Sequence, residues 1–160
     1  MPDTPRDPAS QFDDFSDRAK LAVQKAQELA QQLGDKAVAT GHLVYGLTLD
    51  RAGLAHHVFM DINIDPEMFS GYVAKLPRED VNKDGGPWHR HLLQVFDRAR
   101  QAKKALGGNL VTNEHLLIAL MSIREGSCFE TLKEFAVEPD DIRIECLEGL
   151  GYEDEECPKW

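Results

Sequence analysis

Ala39-Thr40-Gly41-His42-Leu43-Val44-Tyr45-Gly46-Leu47 and Thr112-Asn113-Glu114-His115-Leu116-Leu117-Ile118-Ala119-Leu120 are two writings of one pattern, 73 positions apart. Each opens on small polar residues, steps through His-Leu, and continues as an almost unbroken apolar run. Carrying the same shift outward meets no insertion. It superimposes Ala26 on Ala99, Leu33-Gly34 on Leu106-Gly107, Val38 on Val111, Gly53 on Gly126 and Pro66 on Pro139. Similar residues fill the gaps: Phe15 with Trp88, Val23 with Phe96, Ile64 with Val137. Self-similarity at a fixed period marks a duplicated structural unit.

Working outward, each copy reads as four helices. The first spans about Ser16 to Leu33, with Ser16 as N-cap and Gly34 as the glycine that ends it. Ala19, Ala22, Val23, Ala26, Leu29, Ala30 and Leu33 recur at helical spacing, so one face is buried and the other is solvated. Its counterpart runs from about His89 to Leu106. The second helix starts after Thr40 in copy one and Asn113 in copy two, both suitable caps. Its lack of a polar face places it at the centre of each unit. Gly46 and Ala119 share a register there, and a small residue allows close approach of a neighbour. A short third helix follows Gly53 and Gly126. A fourth starts at Asp65-Pro66 and Glu138-Pro139, where proline in the first turn follows an acidic cap. The fold class is therefore all-α, built of two tandem four-helix repeats. The boundaries are a disordered head over 1–11, repeat one over 12–76, a linker over 77–87, repeat two over 88–150 and an acidic, disordered tail over 151–160.

Composition fits that reading and narrows the function. The chain is 42% hydrophobic and 29% charged, which suits a globular domain. A formal charge of −10 argues against nucleic acid and anionic membranes, both of which select basic surfaces. No stretch approaches the length of a membrane span, and no apolar leader opens the chain. Cys128, Cys146 and Cys157 are odd in number and lack CxxC spacing, so a reducing cytoplasm is the default location. Cys128 and Cys146 fall on buried faces, whereas Cys157 is expected to be exposed on the tail.

Catalytic machinery is hard to assemble from this sequence. Neither Asp84-Gly85-Gly86-Pro87 nor Leu106-Gly107-Gly108-Asn109 has the Lys and hydroxyl of a phosphate-binding loop. His56 and His57 are adjacent and face different ways on a helix, and His89 and His91 are two apart, poor spacing for helical chelation. A metal protein using His89 and His91 is an outside reading. His42 and His115, present in both copies, read as first-turn residues supporting the helix start. The chain is expected to be no enzyme and to need no cofactor.

A helix ending in Leu-Gly, then Thr-x-His-Leu or x-Glu-His-Leu, then a Leu-rich helix resembles the Clp N-terminal domain of AAA+ unfoldases. That family's signature is close to G-T-E-H-L-L-x-G-L, given twice, and Phe15-Ser16-Asp17-Arg18-Ala19 resembles its opening F-T-x-R-A. The resemblance covers essentially residues 12–150 and implies a pseudo-twofold eight-helix domain without ATPase modules. It implies a non-catalytic protein-binding module for substrates or adaptors of a Clp unfoldase or protease. The alternative is an accessory subunit that docks on a Clp ring and modulates it without binding clients. In relatives that recognise phosphoarginine, the signature's Glu in each copy helps to hold the guanidinium. A carboxylate can take a guanidinium through two hydrogen bonds, while helix N-terminal amides favour the phosphate. The matching positions are Gly41 and Glu114, flanked by Thr40 and His42 in copy one and Asn113 and His115 in copy two. Copy two keeps the Glu and copy one lacks it. A first-turn acid also favours the helix dipole by a few tenths to about 1 kcal/mol, which accounts for Glu114 without any ligand.

Overall fold

The computed structural model describes residues 11–77 and 87–160, so most of the 1–11 head and of the 77–87 linker lies outside the described residues. Repeat one contributes α1 (Asp17–Gln32), α2 (Thr40–Thr48), α3 (Leu54–Asp61) and α4 (Pro66–Lys75). Repeat two contributes α5 (Arg90–Ala105), α6 (Asn113–Ser122), α7 (Gly126–Glu134) and α8 (Pro139–Leu150). The fold is all-α, as the periodicity indicates. Ser16 caps α1 by accepting the Ala19 N–H, Asp65 caps α4 through the Met68 N–H, and both fourth helices carry proline in their first turn. Past α1 and α5, Gly34 and Gly107 take φ of +73° and +76°, a conformation that costs glycine nothing.

Two helix starts differ from the sequence reading. Ala39 and Thr112 are the N-caps of α2 and α6, and Thr40 and Asn113 are each the first helical residue. The reason is the histidine three residues beyond the cap. The Ala39 N–H donates to His42 Nδ1 at 2.8 Å and the Thr112 N–H to His115 Nδ1 at 2.9 Å. Histidine thus plays the part that Glu or Gln plays in an ordinary capping box.

Both central helices are nearly engulfed: Leu43, Val44, Leu47, Leu116, Leu117 and Ile118 have no exposed surface. Each buried aliphatic side chain contributes about 1.5–3 kcal/mol. α2 packs on α1 and α4 of its own repeat but also on α7, and α6 packs on α3 as well as on α5 and α8. The buried residues of both repeats form one continuous core. Two isolated bridges fix the pseudo-twofold relation: Phe15 pairs with Val111, and Val38 with Trp88. Ser16 and Val111 donate to the carbonyls of Val111 and Asp14 at 2.9 and 2.8 Å; His89 and Val38 donate to those of Val38 and Pro87, both at 2.8 Å. The 73-residue shift converts one bridge into the other, so each repeat's opening segment is held by the other repeat's α1–α2-type loop. Phe12, Phe15, Trp88 and Phe96 join over this seam, with ring centroids 5.0–5.8 Å apart.

The C-terminal tail corrects an expectation. It is ordered against repeat two: Tyr152 Oη donates to the Leu106 carbonyl at 2.9 Å, and Arg143 pairs with Asp154 at 2.6 Å. Cys157 is 3% exposed and belongs to the core. A segment rich in acids docks here because Arg143 and Lys159 neutralise Asp154 while the thiol and Tyr152 fill apolar space. Cys128 and Cys146 are buried as expected, and burial pushes both thiols up to about 12.

Candidate functional site

The two helix starts singled out by the repeat form two corners, one at α2 and one at α6, and they are built differently. At the α2 corner, Thr40 Oγ1 accepts the Cys128 N–H at 3.1 Å and Ser127 Oγ accepts the Gly41 N–H at 2.8 Å. A Cβ on Gly41 would lie 2.8 Å from both Ser127 Oγ and Val73 Cγ2. The first turn of α7 therefore covers this corner, and the residue replacing the signature Glu has to be small. His42 is 2% exposed; because Nδ1 accepts a backbone N–H, its Nε2 carries the proton and donates to Asp35 Oδ2 at 2.8 Å. Thr40, Gly41 and His42 are thus committed to capping and to the seam between repeats.

At the α6 corner the signature acid is present and half-buried. Glu114 lies beside Asn113, which is 5% exposed and whose Nδ2 is 3.4 Å from Asp50 Oδ2. Asn113 Oδ1 is buried and has no hydrogen-bond partner. Asp50 follows α2 of the other repeat, and its Oδ1 receives Arg18 Nη2 at 2.7 Å. That guanidinium holds the Asp50 carboxyl below the usual carboxylate range. Asp50 in turn raises Arg18, and Glu114 adds to the effect through its charge. His115 is driven down by burial, a shift that the Glu114 charge opposes and that of Lys103 assists. Acceptors dominate the corner: two carboxylates and one orphaned amide oxygen, gathered from both repeats.

Arg18 and Asp50 were not legible as site residues. Arg18 carried a signal, since it is the arginine of the family-like opening motif; Asp50 carried none, because nothing local reveals that the residue after α2 reaches the other repeat's helix start. The register position of Arg18 in repeat two is His91, which pairs with Glu125 at 3.0 Å. His56 Nδ1 bonds the Thr48 carbonyl at 2.7 Å, and among the described residues no group of three or more His, Cys, Asp or Glu could hold a metal ion. Nor, among them, is any helix long and apolar enough to cross a membrane.

Fold and seam together define a class, the duplicated all-helical domain whose two four-helix repeats share one core. The model of the Clp repeat N-terminal domain matches residues 14–135, and the chain belongs to that family. It is 27% identical over 146 residues to the ClpA-homologous ATP-binding subunit of the ATP-dependent Clp protease of Porphyra purpurea, covering 88% of this chain and 17% of that protein. Against the chloroplastic chaperone ClpC of Pisum sativum it is 25% identical over 150 residues, covering 90% of this chain and 16% of the relative. The chain thus spans about a sixth of the length of these curated relatives. Among solved structures, the N-terminal domain of ClpD from Arabidopsis thaliana superimposes with a TM-score of 0.71 at 23% identity, over 87% of this chain and 99% of that one. The N-domain of ClpV from Vibrio cholerae gives 0.67 at 14% identity, over 95% and 97%. Both likenesses establish the fold.

Proposed function

We propose that this domain is a non-catalytic protein-binding module that takes substrates or adaptors of a Clp unfoldase or protease at the α6 corner. The observation that carries this reading is the inequality of the corners. One is covered by Ser127 and Val73, while the other keeps a half-buried Glu114 beside an unsatisfied Asn113 oxygen. Arginine-phosphorylated protein is the ligand suited to such a corner: carboxylates receive the guanidinium, and the α6 amides favour the phosphate. Binding is then single-site. Titration of phosphoarginine into the full chain is expected to give one ligand per chain, with affinity falling about tenfold or more in Glu114→Ala. Two equivalent sites, or equal affinity in the variant, would overturn the reading.

The closed α2 corner favours a second reading, an accessory subunit that docks on a Clp ring without holding clients. Co-sedimentation with the ring, combined with no affinity for unfolded or arginine-phosphorylated protein, selects it over the first.

A further inference from the structure

We propose that Arg18 is a resident guanidinium of the α6 corner, occupying the place that the arginyl side chain of a bound protein takes. The inference rests on reading that corner as a binding site. The Asp50 carboxylate receives Asn113 Nδ2 at 3.4 Å, the Oδ1 of the same amide is buried and partnerless, and the half-buried Glu114 follows it in the first turn of α6. An arrangement in which acceptors outnumber donors calls for a donor with several N–H groups, and a guanidinium offers five. Arg18 supplies one from within the chain. Its Nη2 holds Asp50 at 2.7 Å, and Glu114 lies near enough to act on it electrostatically.

The hold is light. The Arg18 side chain is 59% exposed, its ion pair runs through Nη2 to one Asp50 oxygen, and it leaves the Asn113 oxygen unsatisfied. An exposed pair of this kind resists displacement only weakly. In repeat two the same register holds His91, paired with Glu125, so the arginine belongs to the α6 corner and not to the one that Ser127 and Val73 cover. Arg18 therefore sets a threshold: a ligand that brings no guanidinium of its own does not displace it, and one that does exchanges like for like. Phosphoarginine and unmodified arginine share that chemistry and are separated by the probes below.

The test titrates two probes, phosphoarginine and N-acetyl-arginine methylamide, into the full-length chain and into Arg18→Met, with Glu114→Gln made in each background. Thermal melts confirm that each variant is folded. The expected result is binding about two- to fivefold tighter in Arg18→Met than in wild type, lost with Glu114→Gln. Whichever probe tightens identifies the form of arginine the corner takes. Binding to wild type that is unchanged or weakened in Arg18→Met overturns the role of Arg18 and leaves the corner standing. A weakening confined to phosphoarginine would make Arg18 a phosphate ligand instead, which also overturns it. No binding of either probe to wild type or to Arg18→Met removes the guanidinium site itself, and the role of Arg18 with it.

Discussion

Single residues show how the two copies solve the same problem with different chemistry. Asn63 and Ala136 stand at equivalent positions after the third helix of each repeat, both left-handed, with φ of 63° and 55°. Asparagine tolerates that region, whereas alanine is strained there. Ala136 is exposed, so its methyl contributes no packing. Ala136→Gly is therefore expected to stabilise the fold by about 0.5–1 kcal/mol, with Ala136→Asn following the first repeat's solution; the midpoint of urea unfolding reads both. The capping histidine of repeat two, His115, gives a pH dependence. Burial lowers the His115 pKa in the folded state, so between the folded and unfolded values the unfolded chain binds more protons. This contribution to stability is complete above the unfolded value near 6.5 and is lost as pH falls below it. Urea unfolding at pH 7.5 and pH 5.5 is expected to show a smaller loss in His115→Gln, which keeps a capping acceptor but does not titrate. An equal loss in wild type and variant would assign the pH dependence to other groups.

At the scale of the element, the close pairs are set by small residues and the cross-repeat contacts by helix ends. A Cβ on Gly46 would collide with the Ala22 carbonyl oxygen, since α1 lies directly on α2 at that point. Gly46→Ala is expected to cost about 1–3 kcal/mol despite its better helix propensity, read as a drop in melting temperature. Repeat two carries Ala119 at the same register, fully buried, so the tolerance for a methyl differs between the two helix pairs. The helix starts, and the ends of α1 and α5, were legible to within a residue because cap, glycine and proline signals are local. The cap shift at α2 and α6 was not, since it depends on a histidine ring turning back onto the preceding backbone. The tail was misread for a related reason. Its composition is that of a solvated segment, and only its placement against Arg143 and α8 reveals that Cys157 lies in the core.

At the scale of the molecule, the two repeats share one core among the described residues. Each repeat's opening strand-like segment is bridged by the other's loop, the aromatic residues of both meet over that seam, and the buried residues form one cluster. A fragment holding residues 11–77 alone would expose the faces that α2 and α3 bury against repeat two. It is expected to lack a cooperative thermal transition and native helicity, as judged by circular dichroism. A fragment that melts like the full chain would contradict the shared core.

The sequence by itself determined the duplication, the helix count, the central place of the two apolar helices and the loss of one signature carboxylate. Those features rest on periodicity and local capping, which act over a few residues and leave their mark in the order of the chain. Only the tertiary structure decided that the α2 corner is covered by Ser127, that Asp50, held by Arg18, reaches Asn113 across the repeats, and that the tail is docked. The Gly41–Ser127 and Asp50–Asn113 contacts join residues brought together only when the two repeats close on a common core, the others join residues distant along one repeat and its tail, and no local pattern records such meetings.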